Sequence, residues 1–258
     1  MVAASPGGAS KGIDMKQGLI VSLAIWAAGG AVAQDAPRTA LDVKGRGLKT
    51  FYADSRVGNN QLTFFSESTL EDFTGVCNQI GGECKLDPQN LEAFSGRFFV
   101  RVRDMKTGIE LRDTHMNGPD WLDSEKHPEI VVEFSRAENV KRLANDTAEM
   151  TLVGKCTIRG KTNELKIPVT LKYLDETPKT MRRVKGDLIR LRSKFSIKLS
   201  DYGVTGPKGS DVIGLKVSDK IDIRVTVFGS TERPPDALKP DANSETPARR
   251  PPPRPNQP

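Results

Sequence analysis

The strongest constraint on this chain is a period of two. Ile189, Leu191, Phe195, Ile197 and Leu199 alternate with Arg190, Arg192, Lys194, Ser196 and Lys198. Leu165, Ile167, Val169, Leu171 and Tyr173 alternate with Lys166, Pro168, Thr170 and Lys172. Ile221, Ile223, Val225 and Val227 alternate with Lys220, Asp222, Arg224 and Thr226, and Phe98, Val100 and Val102 with Arg97, Phe99, Arg101 and Arg103. Successive side chains of a strand point to opposite faces, so each run describes a ribbon with one dry face. Shorter runs lie at 48–53, 61–66, 83–87, 130–134 and 149–158. Pro168 falls on the wet face and has no N–H to give, which predicts a sheet edge or a bulge there. Helical periodicity is confined to Gly118–Lys126, with Pro119 near its start and Pro128 beyond its end. One-faced strands with scarcely any helix to cover them stack as a sandwich or close as a barrel. Alternation alone does not separate the two. Strands of about ten residues, at roughly 3.3 Å per residue and a tilt near 40°, would make a barrel about 25 Å tall.

The ends differ from this middle. Met15-Lys16-Gln17 opens a short basic segment, Gly18–Ala28 is an uncharged apolar run, and Ala31-Val32-Ala33 closes it. That order is what a signal peptidase reads, so residues 1–33 are expected to be a signal peptide, with Met15 as an alternative start. The apolar run is too short for a comfortable membrane crossing, so no stable span is expected after cleavage. The chain is accordingly expected to be periplasmic or secreted. Residues 34–47 read as a linker, 48–229 as the folded domain, and 230–258 as a proline-rich tail too polar to offset its ordering entropy.

Export changes the meaning of the three cysteines. Cys77 and Cys84 flank the turn-rich Asn78–Glu83 and are expected to pair as a disulfide. Cys156 lies on the dry side of a strand and is expected as an inert thiol. The net charge of +6 is spread along the chain rather than gathered on one face, and aromatic residues make up 6%. Both argue against a nucleic-acid partner. Two histidines cannot build a three-histidine zinc site, and no Cys-x-x-Cys, phosphate loop or nucleophile elbow is present, so neither metal nor cofactor is expected. Arg112-Asp113-Thr114-His115 is the densest chemical cluster. Asp113 and His115 would share a side of an extended segment, which opens a small-hydrolase reading; the alternative is a polar network that locks a loop. Of the basic residues at 179–194, Lys179–Lys185 form an expected hairpin tip that could meet a head group at a barrel mouth.

The same cluster carries a resemblance. Thr107-Gly108-Ile109-Glu110-Leu111-Arg112-Asp113-Thr114-His115-Met116 resembles the "TG…RD.HL" signature of the YceI-like, polyisoprenoid-binding family. Trp121-Leu122-Asp123 through Pro128-x-Ile130 and Phe134 resembles its "fld…yP.i.F" segment. Gly154–Thr162 resembles "G.LTI.G.T", and Arg192–Ile197 resembles "R.dfgi". The likeness covers roughly 48–229. It departs from the family at Leu62–Glu67, where the usual histidine is missing, and at the Cys77/Cys84 pair. The resemblance implies an all-β fold, an eight-stranded antiparallel lipocalin-like barrel with one short helical segment. It also implies an exported, non-catalytic carrier of an isoprenoid or other long apolar lipid, with Thr107, Gly108, Arg112, Asp113 and His115 as motif residues. The expected lumen lining is Phe98, Val100, Val102, Met150, Leu152, Cys156, Ile158, Leu165, Ile167, Val169, Leu191, Phe195, Ile197, Ile223 and Val225. A second copy of the chain is a further expected partner. The rival readings are a non-catalytic interaction module with a filled interior, and the hydrolase using Asp113 and His115.

Overall fold

The computed structural model describes residues 38–241, and the signal-peptide reading of residues 1–33 lies outside them. Ten antiparallel strands form one sheet: β1 (Lys49–Ala53), β2 (Gln61–Glu67), β3 (Asp72–Cys77), β4 (Ile80–Asp87), β5 (Asn90–Arg101), β6 (Glu129–Ala144), β7 (Thr147–Ile158), β8 (Lys161–Leu174), β9 (Leu188–Lys198) and β10 (Lys220–Ser230). The order is β1-β4-β5-β6-β7-β8-β9-β10, and β1 returns to β10 to close the ring. The hairpin β2–β3 continues the wall. β1 and β2 lie end to end along β10, with Ala53 opposite Gly229 and Gln61 opposite Thr226. β3 continues into β4 in the same way. The wall is therefore an eight-stranded closed barrel in which two strands are interrupted. Closure, which alternation leaves open, rests on β10 reaching both β1 and β2. The break at residues 54–60 is anchored by the buried Asp54, which accepts the Arg56 N–H at 2.9 Å and the Ser230 hydroxyl at 2.6 Å.

Two expectations change here. The helix is α1 (Glu110–Asn117), one segment earlier than the periodicity places it, while 118–126 is a chain of turns. Glu110 and Asp113 occupy its first turn, where negative charge suits the helix dipole. The Cys77–Cys84 disulfide is absent: both thiols are free and buried. The stretch between them is not a hairpin. β3 pairs with β2, while β4 pairs with β1 and β5, so the chain runs on down the wall and carries the cysteines apart. Cys77 lies opposite Leu62 and Cys84 opposite Phe51.

One end of the barrel is sealed. Residues 39–45 cross it, with Leu41 N–H on the Pro88 carbonyl, Asp42 N–H on that of Asn145, and Gly45 N–H on the Asp175 carboxylate, each at 2.8 Å. Beneath them Phe51, Leu86, Leu91, Phe94, Leu171, Tyr173 and Ile189 are fully buried. The Tyr173 hydroxyl donates to Asp187 at 2.6 Å, and Lys49 pairs with the same carboxylate. The β8–β9 connection, with Lys179–Lys185, belongs to this sealed end, so those cations stand away from the mouth.

At the other end the barrel is splayed. The β8–β9 ladder runs from Leu174–Leu188 only to Val169–Ser193 and stops beside Pro168. The Ser193 hydroxyl bonds the Pro168 carbonyl at 2.6 Å where the ladder ends, so Pro168 does mark an edge. Outside the wall, residues 231–241, read from composition as unordered, climb from the sealed end. Arg233 stacks on Tyr52, Arg101 bonds the Lys239 carbonyl, and the Asp241 N–H donates to Glu129. Leu238 lies over Gly81 and thereby helps cover Phe99, an outward side chain that is only 2% exposed. Residues 242–258 lie outside the described chain.

Candidate functional site

The interior between the sealed end and the splayed end is hollow. A deep chamber of about 100 Å³ is lined by Leu152, Ile167, Val169, Leu191, Val225 and Val227, among others. A mouth chamber of about 430 Å³ lies nearer the exit. Leu62, Val100, Ile130, Val132 and Phe195 line both chambers, so the two meet at that waist. The larger volume falls in the range of small-molecule pockets. Gly75 helps shape the wall: a β-carbon there would sit 2.0 Å from the Phe64 ring, which lies flat across β3 because Gly75 has no side chain.

Of the residues expected to line the lumen, Phe98, Leu152, Ile167, Val169, Leu191 and Val225 line the deep chamber. Cys156, Ile158, Ile197 and Ile223 line the mouth chamber, and Val100 and Phe195 line both. Val102, Met150 and Leu165 are buried in the packed core and border neither chamber. Several mouth residues escape the alternation reading. Met105, Ile109, Trp121, Leu122, Val204 and Val212 come from the aperiodic β5–β6 and β9–β10 connections. Trp121 and Leu122 belong to a recognisable motif, which was the one available signal for them.

The Thr107–His115 motif builds the lip. Gly108 takes φ +80°, a left-handed turn that lets the chain enter α1. The Thr107 N–H and hydroxyl both donate to Asp113 Oδ1 at 2.7 Å and close that turn. Arg112 pairs with Glu71 and lies 4.5 Å over the Phe73 ring, tying α1 to the β2–β3 hairpin. His115 faces the mouth chamber. Asp113 and His115 do not pair: on a helix, residues two apart point to different faces, and the Asp113 carboxylate is held by Thr107. At the far side of the mouth, Arg159 donates to the Gly203 and Pro119 carbonyls at 2.8 and 2.6 Å, clamping two loops against the β7–β8 turn.

The chamber is chemically quiet. Burial pushes the Cys156 thiol up to about 11, partly offset by its hydrogen bond with Tyr202. Burial likewise raises the Cys84 and Cys77 thiols. None is a poised nucleophile at neutral pH. Among the described residues no group of three or more His, Cys, Asp or Glu is placed to hold a metal ion, and no helix is long and apolar enough to cross a membrane. Ile109 and Leu111, which line the mouth, are 50% and 65% exposed, so apolar surface runs unbroken from the chamber to water.

The family profile of the YceI-like domain matches residues 53–228. A comparison with curated proteins finds no match. Among solved structures, BcnA of Burkholderia cenocepacia superposes with a TM-score of 0.52 at 19% identity, covering 66% of this chain and 95% of that one. A polyisoprenoid-binding domain from Saccharophagus degradans, implicated in plant cell wall breakdown, superposes with a TM-score of 0.50 at 12% identity, covering 71% of this chain and 99% of that one. At these identities the likeness is one of fold.

Proposed function

Because this chain belongs to the YceI-like domain family, we propose that it is a non-catalytic carrier that shelters a long-chain isoprenoid or similar amphiphilic lipid in its barrel. The observation that carries the reading is the pair of joined apolar chambers, sealed at one end and edged at the other by exposed Ile109 and Leu111. A blind apolar tube with a greasy lip takes a molecule that is itself long and greasy. The similarity in fold to a domain named for polyisoprenoid binding supports the same cargo class. Hydrocarbon burial supplies the affinity at about 0.8 kcal/mol per methylene, less the ordering of the tail. The signal-like start of the sequence supports action outside the cytoplasm, in the periplasm or beyond, where a water-insoluble chain needs a soluble escort.

Titrating lipid-stripped protein with geranylgeraniol tests this directly. The chain has two tryptophans, and Trp121 lines the mouth, so saturable fluorescence change with one site per chain is expected. Val132→Trp, which fills the waist shared by the two chambers, should weaken binding more than tenfold while thermal unfolding stays cooperative. Unchanged affinity in that variant would mean that the ligand binds elsewhere.

A further inference from the structure

We propose that the mouth holds an anionic head group on Lys216 and His115, which makes the cargo an amphiphile ending in a phosphate or carboxylate rather than a neutral chain. This rests on the carrier reading and names the chemistry of its outer end.

The mouth chamber is almost wholly apolar. Apart from the Trp121 indole and the Cys156 thiol, its polar lining is Glu71, Thr107, Arg112, His115 and Lys216. Three of these are already committed. Glu71 and Arg112 neutralise each other, and Arg112 is further held against the Phe73 ring. The Thr107 hydroxyl is held at Asp113. Lys216 and His115 remain, and among the described residues neither side chain has a hydrogen-bond or ion-pair partner. Among the residues that line the chamber, Lys216 is therefore left as a cation with no carboxylate paired to it.

Lys216 is also held in place by its backbone. Its N–H bonds the Val212 carbonyl at 2.9 Å, and Gly214, at φ +90°, donates to the Val217 carbonyl at 2.7 Å. The segment is laced to the β2–β3 turn, with Leu70 N–H on the Leu215 carbonyl at 2.8 Å and Ser218 N–H on the Ser66 hydroxyl at 2.9 Å. Val212 and Val217 on either side face the chamber. Carboxylates further along are occupied: Asp219 by the Ser200 N–H and hydroxyl, Asp222 by Ser196 and Lys220. Lys216 is exposed. A tail running inward past Ile109 and Leu111 would leave its terminal group at the water's edge, where this ammonium stands and His115 can add an N–H.

The test compares geranylgeranyl monophosphate with geranylgeraniol on lipid-stripped protein, at low salt and through Trp121. The phosphate ester should bind about fivefold more tightly, the scale of a partly exposed charge pair. Lys216→Gln together with His115→Gln should bring the two ligands to parity while thermal unfolding stays cooperative. Inorganic phosphate at millimolar concentration should not displace the ester. Equal binding of the two ligands by the unaltered protein would overturn the subsite while leaving the carrier intact, as would a preference that survives in the double variant. Displacement by inorganic phosphate would overturn it in favour of a site for free anions. Binding of neither ligand would bring down the carrier reading and the subsite together.

Discussion

Lengthening the ligand one isoprene unit at a time should raise affinity until the barrel is full and then stop. A water-sized group occupies roughly 30 Å³. On that measure the mouth chamber of about 430 Å³ takes about fourteen heavy atoms, and the deep chamber of about 100 Å³ about three more. Between three and four isoprene units then fit. Each unit brings about 4 kcal/mol of gross transfer free energy. If ordering of the chain offsets about half of this, about 2 kcal/mol remains, or roughly thirtyfold in Kd per unit. Titrations of geraniol, farnesol, geranylgeraniol and geranylfarnesol measure the steps. The first should approach thirtyfold, the second should be smaller, and the third should fall below about threefold because the added carbons emerge into water. A flat series, or one that climbs as steeply at its long end as at its short end, would refute a blind chamber of this size.

Three further outcomes follow from the packing. Tyr173→Phe keeps the edge-on contact with Phe51 but removes the bond to Asp187, and should cost about 1.5–3 kcal/mol, read as a fall of several degrees in Tm. Burial alone would raise the Asp187 carboxyl, but hydrogen bonds from Lys49, Tyr173 and the Glu176 N–H outweigh it and hold the group below its ordinary value; Asp54 is held down in the same way by Arg56 and Ser230. A depressed carboxyl contributes stability that is present above its unfolded pKa near 4 and lost as pH falls through the folded value. Denaturant midpoints should therefore be steady from neutral pH to about 5 and decline below about 4, and a midpoint that rises on acidification would contradict this. Finally, intact mass after alkylation at pH 8 should show three unlabelled thiols in folded protein and three labelled ones in denaturant, with no prior reduction needed. A chain two hydrogens lighter would reinstate a disulfide.

The strands themselves were legible because burial follows their alternation: inward Leu165, Ile167, Val169, Leu171 and Tyr173 are all buried. What alternation could not supply is whatever depends on distant partners. The closure of β10 on both β1 and β2 is a pairing across more than half the described chain. Phe99 is as dry as its inward neighbours because Leu238 helps cover it from outside, and no local pattern signals that cover. The Cys77–Cys84 stretch has turn-forming residues, but the neighbours available to β4 keep it extended as wall. The site divides along the same line. Its tube walls carry a period, whereas its lip comes from connections whose apolar residues obey none. The Thr107–His115 motif marked the lip without giving its physics, which is a tight turn, a helix and a clamp onto Glu71.

The most direct measurement is organic extraction of the purified, never-stripped protein followed by mass spectrometry against its protein content. About one equivalent of a lipid with a long hydrocarbon tail per chain is the predicted result, absent from the Val132→Trp variant prepared in parallel. Protein that releases no lipid, and acquires none when incubated with a total lipid extract, would contradict the account.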